Sequence, residues 1–140
     1  MMNQNVKVFI KGLHKSEDDS SDLGVEADGK YYLKNGKHYI LYEEKLPETD
    51  VIIKNTIKIC EDTVEVIKKG YNDMHLVFSE GKINNTYLST IAGKIFVGIN
   101  TEKLIVKEEN QRINIVVEYS LMMNEEKVSD CKVQIIVTSE

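Results

Sequence analysis

The sequence predicts an all-β fold: a single antiparallel up-and-down barrel of about 8–10 strands spanning residues 1–140. Three observations predict it. Apolar residues recur with a period of two almost everywhere. No segment combines a helical period with capping residues at its ends. Turn residues separate the alternating runs at short intervals, so about ten strands follow one another as hairpins. A flat meander of that length would expose two edges and one apolar face, and closure removes both liabilities.

The first strand, "VKVFIKGLHK" (6–15), sets Val6, Val8 and Ile10 against Lys7, Phe9 and Lys11. The acidic "SEDDSSD" (16–22) that follows is a loop. "GVEADGKYYLK" then runs into Asn35-Gly36, a dipeptide favoured in two-residue hairpin turns, and "HYILYEEK" returns as far as Pro47. That turn pairs Leu33 with His38, Tyr32 with Tyr39 and Tyr31 with Ile40. Tyr31, Leu33, His38, Ile40 and Tyr42 share the face expected inside. Tyr32, Tyr39 and Leu41 share the outer one. "VIIKNTIKIC" (51–60) alternates Ile53, Ile57 and Ile59 with Lys54, Thr56 and Lys58 before a turn at Glu61-Asp62.

"TVEVIKKG" and "MHLVFSE" follow, and Glu80-Gly81 leads into "KINNTYLST". A two-residue loop at Glu80-Gly81 pairs Phe78 with Ile83 and Met74 with Tyr87. It places Met74, Leu76, Phe78, Ile83, Asn85 and Tyr87 together, facing inward. Keeping that parity through "STIAGKI" requires a three-residue loop, Ile91-Ala92-Gly93, with Gly93 in the left-handed conformation. "KIFVGINTEKLIVK" (94–107), "RINIVVEYSLMM" (112–123) and "VSDCKVQIIVTS" complete the series.

Composition narrows the function classes. Hydrophobic residues make up 41% of the chain and charged residues 29%, ordinary values for a globular protein. A net charge of -5 and a single arginine, Arg112, argue against a nucleic-acid partner. No apolar run approaches the roughly 20 residues of a membrane span, and the N-terminus has no signal-peptide core. The cytoplasm is therefore the expected compartment. Cys60 and Cys131 form no CxxC pair and are expected as reduced thiols.

"YYLKNGKHYILYEE", "KKG", "LVFSEGK" and "TIAGKIFVGINT" together resemble the YwiB-like family of short bacterial proteins. The resemblance spans most of the chain, in order and with similar gaps. It implies a calycin- or lipocalin-like barrel and implies no reaction. The family pattern of Tyr, Thr, Gly, Gly and Thr falls on Tyr87, Thr90, Gly93, Gly98 and Thr101, with Ile91 where the family has proline. Lys68-Lys69-Gly70 stands where the family often has Arg-x-Gly, which keeps the charge but loses bidentate recognition of a carboxylate.

Candidate chemistry is sparse. Lys68 shares the inward face of Val64 and Val66. It either meets the acid group of a ligand inside the barrel or snorkels to water from the strand end. Glu44, on the face of Tyr42, can enter the same end and form an ion pair with Lys68. Asn85 on an inward face would need partners or line a polar cavity. His14, His38 and His75 lack metal-ligand spacing. Asp18, Asp19 and Asp22 lack the glycine and final glutamate of an EF-hand loop. Neither a nucleophile with a nearby base nor a phosphate-cradling loop is present.

The expectation is therefore a non-catalytic binding module without metal or cofactor. A small apolar or amphipathic ligand, with an acid group as one option, would sit in the lumen among Tyr31, His38, Tyr42, Lys68, Met74, Asn85 and Tyr87. The alternative is a packed barrel that binds protein, including a second copy of itself, through Tyr32, Tyr39 and Leu41.

Overall fold

The structure, a computed structural model, describes residues 2–14, 23–71, 73–90 and 92–140. It contains ten strands: β1 (Asn5–His14), β2 (Leu23–Lys34), β3 (Lys37–Lys45), β4 (Ile52–Cys60), β5 (Thr63–Lys69), β6 (Met74–Ser79), β7 (Ile83–Thr90), β8 (Gly93–Glu109), β9 (Arg112–Met123) and β10 (Glu126–Ser139). All ladders are antiparallel, in the order β6-β5-β4-β3-β2-β1-β10-β9-β8-β7. The sheet curls into a nearly closed barrel. Pairing of β1 with β10, from Val6↔Ser139 to His14↔Cys131, joins the two ends of the chain.

The Asn35-Gly36 hairpin forms as the sequence predicts. Both residues have positive φ, 53° and 76°, which matches the right-handed twist of the flanking strands. Tyr32 pairs with Tyr39, Leu33 with His38 and Tyr31 with Ile40. Tyr31, Ile40 and Tyr42 are buried inside, whereas Leu33 lies at the rim and is exposed. The core is the inward alternation of every wall: Val6, Val8, Ile57, Val97, Ile115 and Val137 are among its buried members.

The last gap in the barrel falls between two consecutive strands. Among the described residues β6 pairs only with β5, and β7 only with β8. The turn at Glu80-Gly81 is present, with Lys82 N–H donating to Ser79 C=O at 3.0 Å. The chain then diverges, and no β6–β7 ladder follows. Side chains bridge the seam instead: Thr86 Oγ1 donates to His75 C=O at 2.8 Å and Asn84 Nδ2 to Val77 C=O at 3.3 Å.

The seam overturns the parity expected for β7. Without a β6–β7 hairpin, the faces of Met74 and Phe78 carry no information about Asn85 and Tyr87. The observed register, Thr90↔Gly93 and Tyr87↔Phe96, is one residue shorter than the expected three-residue loop. Gly93 does adopt φ 108°, but as the residue closing the ladder rather than within a three-residue loop. Asn85, Tyr87 and Ile83 consequently face outward and are exposed, and Leu88 turns toward the core instead. Ile91 lies outside the described residues, as do Asp18, Asp19, Asp22 and the side chain of His14.

Candidate functional site

Up-and-down topology gives the barrel two distinct ends. The chain termini and the turns at Asn35-Gly36, Glu61-Asp62, Glu80-Gly81 and Asn110-Gln111 gather at one. The links β3–β4, β5–β6, β7–β8 and β9–β10 gather at the other, where the β1–β2 link also starts and ends. The first end is closed. Ile40, Ile59, Val64, Ile113 and Val137 fill it, and each is nearly inaccessible to water. His38 caps this packing. Its Nδ1 lies 2.5 Å from the Tyr31 hydroxyl, and its Nε2 lies 3.2 Å from Glu108 Oε1. Glu108 reaches in from β8, five positions from β3 in the ten-stranded order, so this chain crosses the lumen. Burial pushes the Tyr31 phenol above its ordinary pKa, and the Glu108 carboxylate adds to the shift.

The opposite half of the barrel is not filled. A cavity of about 190 Å³ lies inside it, lined by Ile10, Val66, Leu76, Phe78, Tyr119, Val133 and their neighbours on the inward faces of seven strands. Its walls are mainly apolar. The polar groups cluster on β3 and β5, where Tyr42, Glu44 and Lys68 line the space. Lys68 Nζ lies 3.3 Å from Glu44 Oε1, and both side chains are about one-third exposed. Asn55 Nδ2 donates to the same Glu44 oxygen at 2.9 Å and holds the carboxylate in place. Asn55 itself is buried, and its Oδ1 has no partner among the described residues.

This cluster follows from register. Tyr42 pairs with Asn55 and Asn55 with Lys68, so three neighbouring strands present inward residues at one level. Glu44 stands two residues beyond Tyr42, on the same face. Burial raises the Tyr42 phenol far above its usual value, and the negative Glu44 adds to it. Tyr42 therefore stays a neutral phenol at any physiological pH. Tyr119, on the opposite wall, is shifted the same way by burial and by the Cys131 thiol it touches. Its ring also packs on Phe78 with centroids 5.0 Å apart.

The sequence-predicted lumen residues thus divide. Tyr42, Lys68 and Met74 line the cavity. Tyr31 and His38 face inward but belong to the closed end, engaged with each other. Asn85 and Tyr87 are on the outer surface for the reason given by the seam. Sequence parity overlooked Tyr119, although the alternation Ile113, Ile115, Val117, Tyr119 points it inward. Glu108 was beyond such reasoning. A bulge between Thr101 and Lys103 inserts one residue into β8 and exchanges its faces.

Outside the barrel, Tyr32 and Leu41 are exposed as expected. The Tyr39 ring instead lies beneath Lys58 Nζ, 5.7 Å from its centroid. A wider concavity, about 530 Å³, runs over the outer faces of β2, β3 and β4. It is an open groove walled by solvated charges such as Asp28, Lys30, Glu43 and Lys54. On its flank Lys7 meets Asp28 at 2.8 Å and Glu140 at 3.4 Å. Neither cysteine forms a disulfide. Among the described residues no group of three His, Cys, Asp or Glu side chains is placed to hold a metal ion. No helix there is long and apolar enough to cross a membrane.

Residues 8–135 match the family described as a domain of unknown function, DUF1934. The chain belongs to the DUF1934 family. The match agrees with the resemblance of its sequence motifs to the YwiB-like proteins. The crystal structure of the YwiB protein from Bacillus subtilis is similar in fold, with a TM-score of 0.77 at 20% identity. That similarity covers 99% of this chain and 95% of the other. No curated protein matches this DUF1934 chain.

Proposed function

We propose that this DUF1934 chain is a binding module that holds a small amphipathic ligand in the open half of its barrel. One observation carries the proposal: half of the lumen is packed and capped, while the other half keeps a cavity of about 190 Å³ with one polar cluster. A barrel needed only as a scaffold gains stability by filling such space, because every void forfeits packing contacts. The volume corresponds to about six water molecules, the size of a short-chain ligand. Native mass spectrometry of the purified protein tests it. The expected result is a non-covalent adduct that solvent extraction removes. A protein that shows no adduct and takes up no small amphipath when soaked would count against it.

A second reading is favoured by a separate observation. Ile83, Tyr87 and Phe96 are each more than half exposed on the outer face beside the seam, with the two aromatic rings 5.1 Å apart. Exposed apolar groups that cluster in this way suit a protein contact. The same mass spectrum, by showing a dimer or only a monomer, weighs a self-association role.

A further inference from the structure

The polar cluster of the cavity is not a bare cation. Sequence reasoning set Lys68 against an acidic ligand, but Glu44 occupies the same space and neutralises it at 3.3 Å. Asn55 fixes Glu44 by a hydrogen bond of 2.9 Å, so the carboxylate is a built part of the site rather than a mobile surface group. A carboxylate ligand would gain Lys68 and meet the repulsion of Glu44. An amine would gain Glu44 and meet the repulsion of Lys68. An ammonium has three donors and a carboxylate about four acceptor sites, so the pair keeps capacity for both after bonding to each other. Tyr42, a neutral hydroxyl at the same level, can donate or accept.

Resting on the binding role proposed above, we infer that the cavity selects an apolar tail bearing an overall neutral head with a hydrogen-bond donor and an acceptor side by side. The acceptor faces Lys68 and the donor faces Glu44. A primary amide satisfies this without charge, and the α-amino acid group satisfies it as a zwitterion. The tail runs along Val66, Leu76 and Val133.

Isothermal titration with four probes of matched tail tests the inference: hexanamide, norleucine, hexanoate and hexylamine. The wild-type protein is expected to bind hexanamide or norleucine at least tenfold more tightly than either singly charged probe. Which of the two binds better identifies the head as uncharged or zwitterionic. In Glu44→Gln the neutralising carboxylate is gone, and hexanoate should gain at least tenfold relative to hexanamide. Lys68→Met should shift preference the other way, toward hexylamine. Thermal unfolding and circular dichroism of each variant confirm that the barrel is intact. Hexanoate or hexylamine binding to the wild type as tightly as the better of hexanamide and norleucine, or an unchanged preference in folded Glu44→Gln, would overturn the inference while leaving the binding role standing. If the wild type binds none of the probes, the cavity is not a ligand site and both ideas fall.

Discussion

At the scale of single residues, buried phenols give this barrel a pH signature. Tyr31, Tyr42 and Tyr119 are all pushed above the ordinary tyrosine value, chiefly by burial. A raised folded-state pKa means that the unfolded chain loses its protons first. The stabilisation is complete below the unfolded value of about 10 and is lost as pH climbs above it. Stability should fall above pH 10 by up to about 1.4 kcal/mol per pH unit for each of Tyr42 and Tyr119, the two most strongly shifted. Denaturant unfolding between pH 8 and pH 11 measures it, and Tyr42→Phe should make the decline shallower. A slope identical in wild type and Tyr42→Phe would show that Tyr42 ionises as easily folded as unfolded. Individual residues were legible in the sequence where a local rule fixed them. Asn35-Gly36 set the register that buries Tyr31, Ile40 and Tyr42. The crossing from His38 to Glu108 depends on two walls brought together only by closure, and no local pattern encodes that meeting.

At the scale of strands, alternation located all ten elements, because hydrophobic period and turn chemistry act within a few residues of one another. Facing is a different matter. An error in one connection passes to every residue that follows it, since a one-residue slip exchanges the faces of a strand. The assumed β6–β7 hairpin did this to Asn85 and Tyr87, and the β8 bulge does it beyond Thr101. The seam itself yields a prediction. The bond from Thr86 to His75 C=O is the shorter of the two side-chain bridges described across it. Thr86→Val removes it, and a net hydrogen bond is worth about 1 kcal/mol. Amide exchange in β6 should speed by about fivefold, a factor that follows from that energy, while β9 in the packed wall keeps its protection. Unchanged exchange in β6 would mean that Thr86 does not hold the seam.

Across the whole molecule, the barrel is a half-filled vessel. Branched aliphatic residues pack the closed end, and His38, Tyr31 and Glu108 span it. The open end keeps its space and places Lys68, Glu44 and Tyr42 within it. Packing density in folded proteins is high enough that space of this size is uncommon in an interior. Closure was legible from the sequence because edges and a bare apolar face would be costly. Whether the lumen would be full was not legible, since the same Ile, Val and Leu residues suit a dry core and a ligand wall. The Lys68–Glu44 meeting was foreseen from strand parity, whereas its consequence for the ligand required the anchoring of Glu44 by Asn55. Methyl-resolved NMR during titration with hexanamide tests the half-filled barrel most directly. The account predicts shifts at the methyl groups of Ile10, Val66, Met74, Leu76 and Val133, with those of Ile59, Ile113 and Val137 unmoved. Shifts spread evenly over both ends, or confined to exposed methyls such as Ile83, would contradict it.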